Sequence, residues 1–222
     1  MAVQSAPLQT VRIHLGYLRM KRTLDILFVL LISPLILLAS ALVAVAILLD
    51  SKGPILYRQK RVGQNGVEFE MLKFRSMYVD NDDTIHREAI KQYMNGEALN
   101  GNGDMQYKIV DDPRITKVGK IIRKFSIDEL PQFWNVLRGQ MSLVGPRPDL
   151  PYVVELYTSH DWLRFSGKPG VTGTWQIYGR SKVSFQEMVQ MDIAYLQRQS
   201  LWEDVKLIVL TVPVMLLGRG AA

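Results

Sequence analysis

The stretch SIDELPQFWNVLRGQMSLVGPRP, residues 126–148, brings three features together within 23 residues. Two adjacent carboxylates, Asp128 and Glu129, come immediately before apolar residues at helical spacing. A loop with the sequence Gly-Pro-Arg-Pro follows at positions 145–148. This order predicts an acidic pair, an amphipathic helix and a basic loop side by side, and the rest of the chain is interpreted around them.

Composition limits the kinds of site that the chain can form. Its 222 residues are enough for one domain with a core and an appended segment. The 27 Lys and Arg against 21 Asp and Glu suit a polyanionic partner: nucleic acid, an anionic membrane surface or a phosphorylated substrate. The chain has no cysteine and only three scattered histidines, so metal chemistry would rest on carboxylates, which favour hard ions such as Mg²⁺.

An apolar run of 24 residues, 26–49, is interrupted only by Ser33, Pro34 and Ser40. As one helix it would be about 36 Å long, which is enough to span a membrane. However, both flanks are basic, and a single spanning helix cannot place both in the cytoplasm. Pro34 removes a backbone donor and bends a helix, while the Ser33 hydroxyl can bond a freed carbonyl. The sequence therefore favours a re-entrant hairpin over residues 21–50, broken at Ser33-Pro34, with a kinked spanning helix as the alternative.

The predicted fold class is α/β, mostly helical: a monotopic membrane protein with a re-entrant helix hairpin, surface amphipathic helices and a small β-hairpin. Residues 1–20 are predicted to be a basic surface segment, and residues 51–222 a domain on the cytoplasmic face. Residues 79–108, rich in Gly, Asn and Asp, are interpreted as an exposed insertion of that domain. The β-hairpin is predicted at 55–74, and helices are predicted near 83–94, 116–124, 152–165 and 184–199.

The acidic pair has a structural and a functional interpretation. Ser126 to Glu129 matches a capping box, but a helix that begins at Asp128 accommodates Pro131 better, which would make Asp128 an ordinary N-cap. Alternatively, a helix N-terminus stabilises an ionised carboxylate, as a nucleophile or a Mg²⁺ ligand requires. Neighbouring carboxylates repel unless a cation lies between them or one is protonated.

Several cations of the chain are candidates for binding the phosphates of a ligand near this pair. A diphosphate that chelates Mg²⁺ is the simplest ligand, and attack by a carboxylate on phosphorus would give an acyl phosphate. Proline on both sides of Arg147 fixes its backbone and lowers the entropy lost on binding an anion. The candidate phosphate-binding residues are Lys73, Arg75, Arg114, Arg123, Arg147, Lys168 and Arg180.

Six ordered motifs resemble those of the bacterial polyprenyl-phosphate sugar-1-phosphate transferases, the monotopic phosphoglycosyl transferases that initiate surface glycan synthesis. They are KRTLD, GPILYRQKRVG, FEMLKFRSM, DDPRITKVGKIIRKFSIDELPQFWNVLRG, MSLVGPRP and KPGVTGTWQ, and the resemblance extends from Lys21 to Leu217. It implies a re-entrant helix that breaks at Ser33-Pro34. It also implies a bacterial inner-membrane enzyme whose catalytic domain lies on the cytoplasmic face.

The resemblance further implies a reaction and roles for particular residues. Asp128 would attack the β-phosphate of a UDP-sugar, release UMP and hold a covalent phosphosugar, which polyprenyl phosphate then accepts. Asp128 and Glu129 would be the catalytic dyad and the Mg²⁺ site. Lys73, Arg123 and Arg147 match basic residues that the resemblance implies as phosphate binders. The length of the 79–108 insertion slightly favours a hexose over an acetamido sugar.

Other interpretations and some departures from the pattern are kept alongside this one. Gln140 stands where an acidic residue is common, and Tyr178 where a small polar residue is common. A membrane-anchored scaffold without catalysis is the alternative function. No nucleic-acid motif accompanies the basic charge, so nucleic acid is not an expected partner. The expected partners are a UDP-sugar, polyprenyl phosphate and an anionic phospholipid membrane, and the sequence leaves a homodimer open.

Overall fold

A computed structural model describes residues 15–79, 84–95, 112–179 and 183–216. The fold within these ranges is mostly helical, as predicted, with a long apolar N-terminal helix and two small two-stranded sheets, of which the β-hairpin was predicted and the parallel pair was not. The helices are α1 (Leu15–Asp50), α2 (Thr84–Met94), α3 (Lys117–Lys124), α4 (Gln132–Leu137), α5 (Pro151–Val154), α6 (Phe185–Arg198) and α7 (Leu201–Leu216). The strands are β1 (Leu56–Val62), β2 (Glu68–Phe74), β3 (Ser142–Val144) and β4 (Gly170–Thr172).

Helix α1 packs on the rest of the molecule near both of its ends and exposes its middle. Val29 lies in a core cluster with residues of β2, β3, α4, α6 and α7. Near the other end, Ile47 packs with Phe74 and Ile122. The apolar side chains between these two contacts are largely exposed: Leu30, Leu31, Leu35, Leu37, Leu38 and Leu42. Within the described part of the chain, α1 is the one helix long and apolar enough to cross a membrane.

The Ser-Pro pair lies inside α1, which stays helical on both sides of it. Pro34 has no N–H, so the carbonyl of Leu30 lacks its usual partner four residues on. The Ser33 hydroxyl donates to that carbonyl at 2.8 Å, which confirms the bond predicted for Ser33. A reversal of chain direction at this point stays a prediction.

The predicted β-hairpin is confirmed, with β1 and β2 antiparallel and Lys60 opposite Glu70. Asn135 on α4, 1 % exposed, attaches this hairpin to the helix. Its side-chain oxygen accepts from the N–H of Leu72 at 3.0 Å, and its amide donates to the Glu70 carbonyl at 2.7 Å. The same amide donates to the side-chain oxygen of Gln140. Gln140, which stands where an acidic residue is common, therefore helps to hold Asn135 against the hairpin.

The parallel pair of β3 and β4 joins two loops through their backbones. Three bonds connect them: Ser142 N–H to Pro169, Gly145 N–H to Thr172, and Gly170 N–H to Pro146. The two backbones are so close that a Cβ at Gly170 would lie 2.1 Å from the Gly145 nitrogen. Only glycine allows this approach.

One predicted element is wrong, and parts of others lie outside the described residues. Instead of a helix over 152–165, the structure has the four-residue α5 and a 3₁₀ turn at Asp161–Ser166. The N–H and hydroxyl of Thr158 both donate to the Asp161 carboxylate, and such local bonds compete with helix formation. The other helices near 83–94, 116–124 and 184–199 are confirmed as α2, α3 and α6. Residues 1–14, 80–83 and 96–111 are outside the described chain, which leaves most of the N-terminal segment and of the insertion untested.

Candidate active site

The acidic pair lies in a 3₁₀ turn, Ile127–Glu129, and not at the start of a continuous helix. Ser126 is left-handed, with φ 55°, and its side chain caps nothing, so neither the capping box nor the N-cap role of Asp128 forms. Pro131 lacks an N–H, and α4 begins only at Gln132. The turn therefore presents two adjacent carboxylates whose oxygens are not used for helix capping.

Two cations bind the same oxygen of Glu129. Lys73 Nζ lies 3.1 Å from Oε1 and a terminal guanidinium nitrogen of Arg147 lies 3.0 Å from it. Burial alone would raise the pKa of Glu129, but Arg147 and Lys73 together hold that pKa well below its usual range. The two cations therefore favour the ionised form of Glu129. Lys73, Asp128, Glu129 and Arg147 are called the Glu129 cluster below.

Asp128 has a different environment from its neighbour. It is 9 % exposed and has no hydrogen bond or ion pair to any residue that the structure describes. Burial raises the pKa of Asp128, Lys73 opposes that effect, and Glu129 adds to it. A buried carboxylate with unused acceptor oxygens is suited to attack phosphorus or to bind a cation.

The backbone of the Arg147 loop is fixed at four consecutive carbonyls. Those of residues 146–149 accept, in order, from Gly170 N–H, the Arg164 guanidinium, the Arg61 guanidinium and Val62 N–H. The prolines on both sides of Arg147 add to this restriction. The Arg147 side chain is thus held towards Glu129 by a loop with little backbone freedom left to lose on binding.

Arg164 is the centre of this support, and the sequence did not reveal it. It is fully buried and donates to Asp149, to Asp192, to the Tyr157 hydroxyl at 2.7 Å and to the Arg147 carbonyl at 3.1 Å. Asp149, Tyr157, Arg164 and Asp192 are called the Arg164 cluster below. Its residues come from four separate stretches of sequence, and the only local signal was an arginine within the aromatic segment at 162–165.

The structure brings some of the other predicted cations to the site and places others elsewhere. Arg123 is close enough to Asp128 and Asp112 for its charge to act on both carboxyls. It opposes the rise in the pKa of Asp128 and adds to the lowering of the pKa of Asp112. Arg114 binds the Asp112 carboxylate, at 2.8 Å. Arg75 donates to the carbonyls of Ser51 and Lys52, just after α1 ends. Lys168 lies beside Arg22, and Arg180 falls outside the described residues.

Asp128 and Glu129 are also the residues available for Mg²⁺. No cluster of three or more His, Cys, Asp or Glu residues is arranged for a metal in the described part of the chain. Protein sites for Mg²⁺ often supply only one or two carboxylates, while substrate phosphates complete the coordination. The unused oxygens of Asp128 fit that kind of site.

Residues 16–218, which include every part of this site, match the family model described as bacterial sugar transferase. The chain belongs to the bacterial sugar transferase family. Its relatives include the galactosyl transferase CpsE of Streptococcus agalactiae, 49 % identical over 76 % of this chain and 36 % of CpsE. The exopolysaccharide production protein ExoY of Rhizobium meliloti is 40 % identical over 90 % of this sugar transferase and 87 % of ExoY.

A third relative of this sugar transferase carries a name that states a reaction. It is the UDP-glucose:undecaprenyl-phosphate glucose-1-phosphate transferase of Caulobacter vibrioides, 38 % identical over 90 % of this chain and 71 % of the relative. The chain spans about a third of CpsE, and it spans most of the other two relatives.

Proposed function

We propose that this sugar transferase moves a sugar-1-phosphate from a UDP-sugar to polyprenyl phosphate, with release of UMP, as a first membrane step of surface glycan synthesis. The observation that carries this proposal is the Glu129 cluster. A buried carboxylate with no hydrogen bond or ion pair to a described residue lies beside a carboxylate that already binds two cations. The names of the relatives support the same donor and acceptor classes.

The proposed reaction has two displacement steps at one phosphorus atom. In the first, a carboxylate oxygen of Asp128 attacks the β-phosphorus, the bond from that phosphorus to the bridging oxygen breaks, and UMP leaves with the electron pair. In the second, an oxygen of polyprenyl phosphate attacks the same phosphorus, and Asp128 leaves as a carboxylate. Lys73 and Arg147 would bind the phosphate oxygens on which negative charge collects.

Mg²⁺ is proposed as the cofactor. When bound, it would neutralise charge on the phosphate oxygens of the substrate. Asp128 and Glu129 would hold it. Glu129 keeps its ionised form through Arg147 and Lys73, and the second oxygen of its carboxylate has no described partner.

We also propose that the chain enters one leaflet and returns, with its catalytic domain on the cytoplasmic face of the inner membrane. Three observations support a hairpin. Both flanks of the apolar run are basic, both ends of α1 bind the same domain, and the middle of α1 exposes leucines. The end contacts are specific: Arg22 donates to the Leu137 carbonyl at 2.8 Å, and Asp50 accepts from Val118 N–H at 3.0 Å.

The test of the reaction is UMP release by the purified protein from a panel of UDP-sugars with Mg²⁺, with and without polyprenyl phosphate. Release with one sugar would establish the reaction and name the donor. A burst of UMP without lipid, in a yield below one per protein, would support the covalent step. Release from no UDP-sugar at all would favour the non-catalytic scaffold.

The hairpin has its own test, which does not depend on activity. A cysteine placed near the N-terminus of this cysteine-free chain can be labelled from either side of inverted membrane vesicles. The hairpin predicts labelling on the same side as the catalytic domain, and Pro34→Ala should shift part of the population to the other side. Labelling of the native helix from the far side would contradict the hairpin.

A further inference from the structure

Lys168 and Arg22 form a second group of cations, separate from the Glu129 cluster. A methyl group added at Gly139 would lie 3.5 Å from a terminal nitrogen of Arg22 and 3.6 Å from Lys168 Nζ. Both nitrogens therefore border the same small space. Gly139 has φ 76°, which favours glycine, and apart from its chain neighbours the described atom nearest to that methyl position is the Arg22 nitrogen at 3.5 Å.

Neither cation of this second group forms an ion pair within the described residues. The ammonium of Lys168 makes no hydrogen bond or ion pair to any residue of the described ranges. The Arg22 guanidinium donates only to the neutral carbonyls of Val136 and Leu137 within those ranges. Asp25, the carboxylate that attracts Lys168, is already bound by Ser142 Oγ and Leu143 N–H. Burial lowers the pKa of Lys168, and Arg22 lowers it further, so a bound anion would relieve both effects.

The position along the chain indicates the depth at which this space lies. Arg22 comes four residues before Ile26, where the apolar run begins, so it lies where lipid headgroups start. On the neighbouring α4, Trp134 is 52 % exposed and the Arg138 guanidinium stands over its ring. Exposed Trp and Arg side chains of this kind favour the boundary between headgroups and hydrocarbon.

We infer that Lys168, Arg22 and the open space at Gly139 form a binding site for the phosphate group of a membrane lipid. The two cations attract the phosphate, and the absence of a side chain at Gly139 leaves space beside them. The start of the apolar run places this space at the level of the lipid headgroups. This inference rests on the proposed function in that the acceptor substrate is itself a lipid phosphate. The same chemistry would also take the headgroup of an anionic phospholipid, and the experiment separates these two sources.

The experiment compares the full chain with its Lys168→Gln and Lys168→Arg variants, and uses Lys60→Gln as the matched control. Lys60 is an exposed lysine of β1 and is outside both cation groups. One measurement is flotation with vesicles of phosphatidylcholine alone and with added phosphatidylglycerol. The other is UMP release as a function of polyprenyl phosphate concentration, at fixed UDP-sugar.

Loss of the Lys168 charge should weaken binding to the lipid phosphate about fivefold, the usual contribution of one lysine near a charged membrane surface. A higher half-saturating concentration of polyprenyl phosphate would identify the acceptor as the ligand. Weaker flotation that appears only with phosphatidylglycerol would identify a phospholipid headgroup. In either case Lys168→Arg keeps the charge and should retain most of the native binding, and Lys60→Gln should behave as the native chain.

If Lys168→Gln changes neither measurement, or changes them no more than Lys60→Gln does, the site is overturned. Failure of the proposed function gives a different result. The native chain would then release no UMP from any donor, while flotation would still show whether Lys168 binds a lipid phosphate.

Discussion

The Glu129 cluster and the Arg164 cluster use the same pairing of arginine with carboxylate for different ends. Around Arg164, the two terminal nitrogens of a buried guanidinium bind two carboxylates, a hydroxyl and a backbone carbonyl, while its Nε has no partner among the described residues. Around Glu129, two cations share one carboxylate oxygen, and Asp128 next to it has no hydrogen bond or ion pair to a described residue. A cluster whose carboxylates are all paired with a cation, called saturated below, stabilises the fold, while a cluster of the same residue types with an unpaired carboxylate, called unsaturated, is available for a substrate.

The strongest test of this comparison is Asp128→Asn, which should abolish UMP release and leave the fold intact. We expect activity to fall by at least about a thousandfold, because the amide is a poor nucleophile. Thermal unfolding should shift little or to higher temperature, because burial disfavours the ionised carboxylate that the variant removes. Substantial residual UMP release would exclude Asp128 as the nucleophile.

The opposite result is expected in the saturated cluster. Arg164→Met should destabilise the protein by about 3–5 kcal/mol, because it leaves the buried Asp192 and the partly buried Asp149 without their cation. Thermal unfolding in detergent measures this change. Tyr157→Phe is the milder companion: it removes a hydroxyl that accepts from Arg164 and donates to Asp149, and it should cost about 1–2 kcal/mol. An unchanged melting temperature for Arg164→Met would show that the cluster is not structural.

The side chain of Arg147 belongs to the Glu129 cluster, while its backbone carbonyl is bound by the Arg164 cluster. The side chain should therefore matter for catalysis and little for stability. Arg147→Ala should lower kcat/KM for the UDP-sugar about a hundredfold, in the range seen for loss of one charge-stabilising donor. Arg147→Lys should recover part of this loss, since lysine keeps the positive charge but lacks the planar guanidinium that can donate two hydrogen bonds to one phosphate. Arg58→Gln, an exposed arginine of β1, is the control and should have no effect on kcat/KM. A loss of stability equal to that of Arg164→Met would remove the distinction between the two clusters.

The smallest effect is expected at Asp112, which is bound by Arg114 at the edge of the site. Its hydrogen bond to Arg114 lowers the pKa of Asp112, so the carboxylate contributes stability above its unfolded pKa of about 3.9 and loses it as pH falls further. Asp112→Asn should therefore cost about 1–2 kcal/mol at neutral pH. The difference in melting temperature from the native chain should shrink below pH ~4. A difference that grows on acidification would contradict this assignment.

The sequence was sufficient to predict the residues of the Glu129 cluster, because they lie in motifs with strong local patterns. Lys73 lies near the end of an alternating strand, and Arg147 lies between two prolines, so both the element and the fixed backbone could be inferred. The catalytic and phosphate-binding roles of these residues stay predictions. The family is shown by the match over residues 16–218.

What the sequence could not show depends on contacts between distant stretches. Arg75 looked equivalent to Lys73, but β2 ends at Phe74 and the Arg75 side chain turns to the carbonyls after α1. Lys168 looked like one more phosphate cation, and only the position of Arg22 shows that it lies in a separate group. Arg164 was placed in a helix, with nothing in the segment to indicate that Asp149 and Asp192 lie on either side of it.

The backbone bonds between the β3 and β4 loops have a consequence for protein engineering. Residues 145–149 carry the Arg147 side chain and residues 168–173 carry Lys168. The Gly145 N–H to Thr172 and Gly170 N–H to Pro146 hydrogen bonds and a glycine contact join the two segments. In a chimaera that takes one segment from this chain and the other from a relative, the two backbones would have to approach each other as closely at Gly170, where a Cβ would lie 2.1 Å from the Gly145 nitrogen. Exchange of substrate preference between family members should therefore succeed only when both segments are transplanted as a unit.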